Sequence, residues 1–260
     1  MATAKPIYTA RNTRASFRLQ WSITVFWRDP IDTPTWVEEL TAICTKDHVR
    51  ILNHRQVDPK CSQFLIGSPP AIAPVEMIRS VKGRLQHLVR VDRPRAFQRN
   101  YFIGSVGAMR RSQVEKYVSS QLNHHRMADP RVQQRLAAFQ ISDSNIDLAQ
   151  RRPSAHGLFV YNVHLVLCRD GRWMETREDV LSRTHNMLIR VARAKGHLLS
   201  RAGILPDHIH LVLGCDRSES PESVALNYLN NLAYGEGMKP VYQSGYYVGT
   251  VGEYDTGAIR

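Results

Sequence analysis

The sequence predicts an α+β protein: two tandem ferredoxin-like βαββα units, each an antiparallel sheet with helices on one face. Three observations lead there. The stretch NYFIGSVGAMRRSQVE (100–115) returns as GYYVGTVGEYDTGAIR (245–260), sharing two aromatics, an aliphatic, Gly, Ser or Thr, Val and Gly. Upstream, DPKCSQFLIGSPP (58–70) returns as LPDHIHLVLGCDR (205–217), sharing Pro, an apolar run and Gly. Between these blocks the hydrophobic periodicity switches in the same order in both halves. Collinear repeats of this kind point to an internal duplication.

Each element has its own signal. Residues 17–28, FRLQWSITVFWR, alternate and are rich in aromatic and β-branched side chains, as a strand requires. Residues 33–47 open with Thr-Pro and carry apolar residues at helical spacing. Residues 49–57 and 62–67 read as strands, and 74–91 as a second helix. The second half repeats the order: a strand over 158–168, a helix over 176–196, strands over 197–204 and 208–214, and a helix over 220–234. Each copy ends in a short strand carrying the Val-Gly block. A helix beginning RRSQVEKYVSSQL follows the block in the first copy, and the position equivalent to its Tyr117 would fall at 262, past Arg260. The expected division is 1–140 for the first unit, 141–157 for a linker (Ser-Asp-Ser-Asn, Arg-Arg-Pro-Ser) and 158–260 for the second.

Composition excludes several classes. With 260 residues, 43% hydrophobic and 22% charged, the chain suits a packed core. Four dispersed cysteines without a CxxC pair argue against a disulfide scaffold or zinc ribbon. The basic N-terminus has no apolar core of a signal peptide, and the apolar runs are only strand-length, so a cytoplasmic protein without a membrane partner is expected. The net charge of +12 is uneven: residues 1–145 hold 22 Lys and Arg against 11 Asp and Glu. Within them, 79–135 hold 13 basic and 3 acidic residues. A field so concentrated favours a polyanionic partner, nucleic acid above all.

The chemistry-bearing residues are few. In a strand, His208 and His210 point to one face while Ile209 points into the core. Two neutral imidazoles side by side suit one divalent cation. The equivalent positions in the first copy are Cys61 and Gln63, a degenerate pair on a retained frame. On the helix after the first Val-Gly block, Tyr117 and Gln121 lie one turn apart on one face. A tyrosine can be a covalent nucleophile, and an amide oxygen can complete a hard-cation shell. Other histidines have simpler readings: His164 as a packed strand residue, His124 and His125 as a solvated helix end. Tyr101, Phe102, Tyr246 and Tyr247 read as packing residues more than as base-stacking ones.

Together these residues resemble the single-tyrosine HUH transposases, of the insertion-sequence and REP-associated types. The matches are His208-Ile209-His210 after Pro-Asp, the Val-Gly block at Tyr101–Gly107 and Tyr247–Gly252, Lys82-Gly83-Arg84, and Tyr117 with Gln121. The resemblance covers most of the chain in two passes, yet neither copy is complete. It implies a metal-dependent single-stranded DNA endonuclease and strand transferase working through a 5′-phosphotyrosine. Tyr117 would be the nucleophile, and His208, His210 and Gln121 the ligands of Mg²⁺ or Mn²⁺. Family members are dimers that combine histidines of one subunit with the tyrosine of the other. Here one composite site would form within a monomer acting as an internal pseudo-dimer, and the mirror site, with Cys61 and Gln63, would be inactive. Lys82, Arg84, Arg90, Arg99, Arg110 and Arg111 would hold the DNA, a hairpin in the family. The alternative is an inactive, domesticated hairpin-binding derivative.

Overall fold

The computed structural model describes residues 5–125 and 127–253. The repeat block 245–260 therefore lies partly outside the described residues. The first part of the chain runs β1 (Arg14–Arg18), β2 (Gln20–Trp27), α1 (Val37–Lys46), β3 (Arg50–Asp58), β4 (Cys61–Gly67), α2 (Pro74–Val89), β5 (Phe97–Val106) and α3 (Arg111–His124). A connecting region holds α4 (Pro130–Ala138), β6 (Ile141–Ser142) and β7 (Arg152–Ser154). Then come β8 (Gly157–Val160), β9 (Asn162–Arg169), α5 (Glu178–Lys195), β10 (Leu198–Ile204), β11 (His208–Gly214), α6 (Pro221–Gly235) and β12 (Tyr242–Thr250).

Two sheets result, and their four-stranded centres are built alike. One has the order β3-β4-β2-β5 and the other β10-β11-β9-β12, all antiparallel. Each follows the βαββαβ connectivity of a split βαβ, ferredoxin-like unit. Alternation decides the faces. Trp21, Ile23, Val25 and Trp27 are fully buried in the apolar core, as are Val163, Leu165 and Leu167 of β9 and Leu211 and Leu213 of β11. α1 packs with α2 and α5 with α6 to cover these inner faces.

The strands read as continuous over 17–28 and 158–168 are each broken in two. β1 stops before Leu19 and pairs, parallel, with β12 of the other half. β8 stops before Tyr161 and pairs, parallel, with β5. Each half thus lends its first strand to the other half's sheet. Periodicity could not show this, because alternation continues through a change of sheet. The helix expected from residue 33 starts at Val37, and the expected linker holds three short strand segments, β6, β7 and the start of β8. β6 pairs with β10 and β7 with β8. The sheets therefore do not divide where the linker was expected.

The Val-Gly blocks fasten the halves together. The Ser105 hydroxyl accepts from the Asn162 amide (3.0 Å) and donates to the Val251 carbonyl (2.7 Å). Its counterpart, the Thr250 hydroxyl, accepts from the Gln20 amide (2.9 Å) and donates to the Val106 carbonyl (2.5 Å). The Gly107 amide donates to the Gly252 carbonyl, 2.9 Å away. A Cβ on Gly107 would lie 2.6 Å from the Thr250 carbonyl oxygen, so this crossing needs glycine. The repeated Ser/Thr-Val-Gly sequence is the chemistry of this clasp.

Candidate active site

β11 is buried on both faces. Its inner side chains enter the core, and its outer ones are covered by α3, which leaves the first unit and packs across β10 and β11. Close approach is possible because residue 203 is glycine: a Cβ there would meet the Val118 carbonyl at 3.2 Å. Under this helix lie His208 and His210, with ring centroids 4.9 Å apart.

Each imidazole has one nitrogen already engaged. His208 Nδ1 sits 2.6 Å from Asp207 Oδ1, and the same carboxylate pairs with Arg172 at 3.2 Å. An ionised carboxylate only accepts, so Nδ1 carries the proton and Nε2 keeps its lone pair. His210 Nδ1 lies 2.9 Å from His164 Nε2, with the rings stacked. With the proton on His210 Nδ1, its Nε2 is free as well. Burial pushes His210 down to about 3 and His164 to about 4, and also lowers His208. All three rings are therefore neutral at pH 7, the state that binds metal.

The Tyr117 ring meets that of His210 edge-on at 5.7 Å and that of His164 at 6.2 Å, while 42% of the residue stays exposed. Gln121, one turn on, is buried, and its carboxamide nitrogen points to the Tyr117 carbonyl 3.4 Å away. The structure thus brings the tyrosine helix of the first unit onto the histidine pair of the second. Among the described residues no group of three or more His, Cys, Asp or Glu is arranged to hold a metal. The donor set that fits a hard cation is two imidazole Nε2 atoms with an amide oxygen and oxygens from outside the protein.

At the equivalent place in the first sheet the frame persists without the donors. Gln63 Nε2 donates to Ser22 Oγ at 2.9 Å, occupying the positions that His210 and His164 hold in the other sheet. Cys61 is buried, and that burial raises its thiol to about 11. Neither residue offers an imidazole or an accessible thiolate.

The expected DNA contacts have mixed settings. Arg90, Arg99 and Arg110 are exposed. Lys82 is committed elsewhere: its ammonium donates to the carbonyls of Gln98, Arg99 and Asn100 at 2.6, 3.1 and 3.2 Å, tying α2 to β5. Arg84 forms a two-pronged pair with Asp47, and Arg111 is paired with Asp147. Sequence reasoning missed the partnership of His164 and the approach of His125, whose ring lies 5.5 Å from His208. The parity of His164 on its strand was readable. The register that sets it beside His210 was not.

Residues 27–121 match the family model described as transposase, IS200 like. This stretch is similar to the IS200-like transposases. The matched stretch contains Tyr117 and Gln121 and ends before His208 and His210, so the four candidate residues are split between it and the second unit. A crystal structure of a candidate transposase from Deinococcus radiodurans R1 is similar at 19% identity and TM-score 0.34, over 40% of this chain and 88% of that one. A candidate glycine cleavage system transcriptional repressor aligns at 13% identity and TM-score 0.25, over 90% of this chain and 98% of that one. No curated protein matches the sequence.

Proposed function

We propose that this chain nicks and rejoins single-stranded DNA at one composite site, with Tyr117 as nucleophile. The observation that carries the proposal is the placement of Tyr117, on α3 of the first unit, against His210, 93 positions later on β11 of the second. The Tyr117 oxygen attacks phosphorus in line and loses its proton. The bond from phosphorus to the 3′-oxygen breaks, and that oxygen leaves as a hydroxyl. The product is a 5′-phosphotyrosine, which an incoming 3′-hydroxyl reverses without an external energy source. His208, His210 and Gln121 would hold Mg²⁺ or Mn²⁺. Bound there, the ion would polarise the scissile phosphate and offset its growing charge. Asp207 and His164 each engage Nδ1 of one imidazole, which leaves Nε2 of both rings for the ion.

The reciprocal loan of β1 and β8 supports reading the molecule as an internal pseudo-dimer, an isologous arrangement held in one chain. Cys61 and Gln63 support a single working site. The excess of basic residues over 79–135 supports DNA as the partner, with the exposed Arg90, Arg99 and Arg110 as its most available contacts. No described helix is long and apolar enough to cross a membrane.

The test is a labelled single-stranded oligonucleotide with Mn²⁺. The wild-type protein is expected to form a covalent adduct stable to denaturant, and Tyr117→Phe none. An adduct that persists in Tyr117→Phe would mean another nucleophile. No adduct from the wild type on any hairpin-bearing strand would leave a DNA-binding protein without cleavage.

A further inference from the structure

The outer face of the second sheet continues well beyond the histidines. Registers place His210, Val166, Tyr247 and Ser16 in one row across four strands. The rows on either side run from His208 through Cys168 towards Arg14, and from Val212 through His164 and Gly249 to Arg18. The last strand in each row is β1, contributed by the other half of the molecule. Strands lie about 4.8 Å apart, so β1 stands roughly 14 Å from the metal-binding pair.

Between them runs an open trough of 390 Å³ lined by Arg14, Ser16, Val166, Cys168 and Tyr247. Its floor is low because β12 carries glycine at 245 and 249. The Tyr247 ring folds over Gly249: a Cβ there would meet its hydroxyl at 2.5 Å. Tyr247 is half-buried and meets His164 edge-on at 5.9 Å, so an aromatic surface begins where the imidazole pair ends. Arg14 and Arg18 are exposed, and neither has an ion pair among the described residues.

The duplicated fold supplies an internal control. The positions on β8 that correspond to Ser16 and Arg18 are Leu158 and Val160, and His156 corresponds to Arg14. In that sheet the strand is also covered by β7, whereas β1 is an outer edge. The nearest cations there, Arg151 and Arg152, come from β7 and the residue before it and lie over the rings of Phe102 and Phe159, 5.5 and 4.6 Å away. Only the sheet that keeps its histidines carries arginines at these positions of the lent strand.

We infer that this trough holds the single-stranded DNA flanking the scissile phosphate, with a base against Tyr247 and backbone phosphates at Arg14 on its wall and at Arg18 farther along the same strand, beyond the trough. The inference rests on the proposed nicking reaction. Stacking on an aromatic and pairing with arginine are the two interactions that bind single strands irrespective of sequence. The strand would cross from chemistry supplied by the second half to an edge supplied by the first.

The experiment compares four full-length proteins: wild type, Arg14→Ser/Arg18→Ser, Tyr247→Ala and Leu158→Ser. Each is titrated with a fluorescent single-stranded oligonucleotide over a series of salt concentrations, and each is assayed for covalent adduct at saturating DNA. The double arginine variant is expected to bind several-fold more weakly, with a salt slope smaller by about 1.4, corresponding to two lost phosphate contacts. Tyr247→Ala should bind more weakly with an unchanged slope, and Leu158→Ser should behave as wild type. Unchanged affinity and slope in the double variant, alongside normal adduct, overturns the trough and leaves the nicking reaction standing. A wild type that forms no adduct but whose binding still depends on Arg14 and Arg18 keeps the trough and overturns the reaction.

Discussion

His210 has two ring nitrogens, and the fold engages one of them. The 2.9 Å contact from His164 engages Nδ1 and leaves Nε2 for the proposed ion, and it is the sort of outer contact whose loss weakens metal binding by about 10–100-fold. His164→Ala is therefore expected to lower Mn²⁺ affinity by that order, read directly by electron paramagnetic resonance titration without DNA. Unchanged Mn²⁺ affinity would make His164 a packing residue only. The His-x-His pair and the tyrosine could be read from one strand and one helix, because each lies within a single periodic segment. His164 could not, since its role depends on the register between β9 and β11. Lys82 shows the converse: a motif residue read as a DNA contact turns out to have its donors directed at three backbone carbonyls.

The elements that join the halves make the next prediction. Thr250 serves the Gln20 amide and the Val106 carbonyl, so Thr250→Val removes the acceptor of one and the donor of the other with little change of shape. Leaving such a buried group unpaired costs about 1–3 kcal/mol. Thermal unfolding should begin several degrees lower, and Thr250→Ser should restore most of the loss. If Thr250→Val melts with the wild type, the hydroxyl is not a stabilising clasp. The repeat of Ser-Val-Gly and Thr-Val-Gly was plain in the sequence, and so was the order of helices and strands. What escaped was the meaning of Leu19 and Tyr161. Both sit in the middle of unbroken alternating runs, and both are buried where the chain passes from one sheet to the other. Tyr161 packs edge-on against Trp21 of the other half, with ring centroids 5.0 Å apart. Only the pairing partner of each strand reveals such a crossing.

For the whole molecule, the buried imidazoles set an acid limit. His210 and His164 are neutral when folded, lowered by burial to about 3 and about 4 from 6.5, while the unfolded chain takes up protons near 6.5. The unfolded state then binds more protons across that interval, so stability rises with pH there. The contribution is full above 6.5 and is lost as the solution is acidified towards 4 and 3. Denaturant titrations from pH 7 to pH 4 should show falling stability, and His210→Gln should flatten that slope even if it lowers the starting value. An equal slope in the variant would place the acid sensitivity elsewhere.

The exchange of β1 and β8 also sets a timetable for synthesis. β1 leaves the ribosome well before its hydrogen-bonding partners, Gly245 to Gly249, which follow it by more than two hundred residues. β5 likewise keeps an open edge until residues 158–160 have left the ribosome. A nascent first half therefore carries a free strand and an unpaired sheet edge until those partners are made, the condition under which β proteins misassociate. Two such nascent halves could lend strands to each other's chains instead of their own, giving swapped dimers whose abundance rises with expression level.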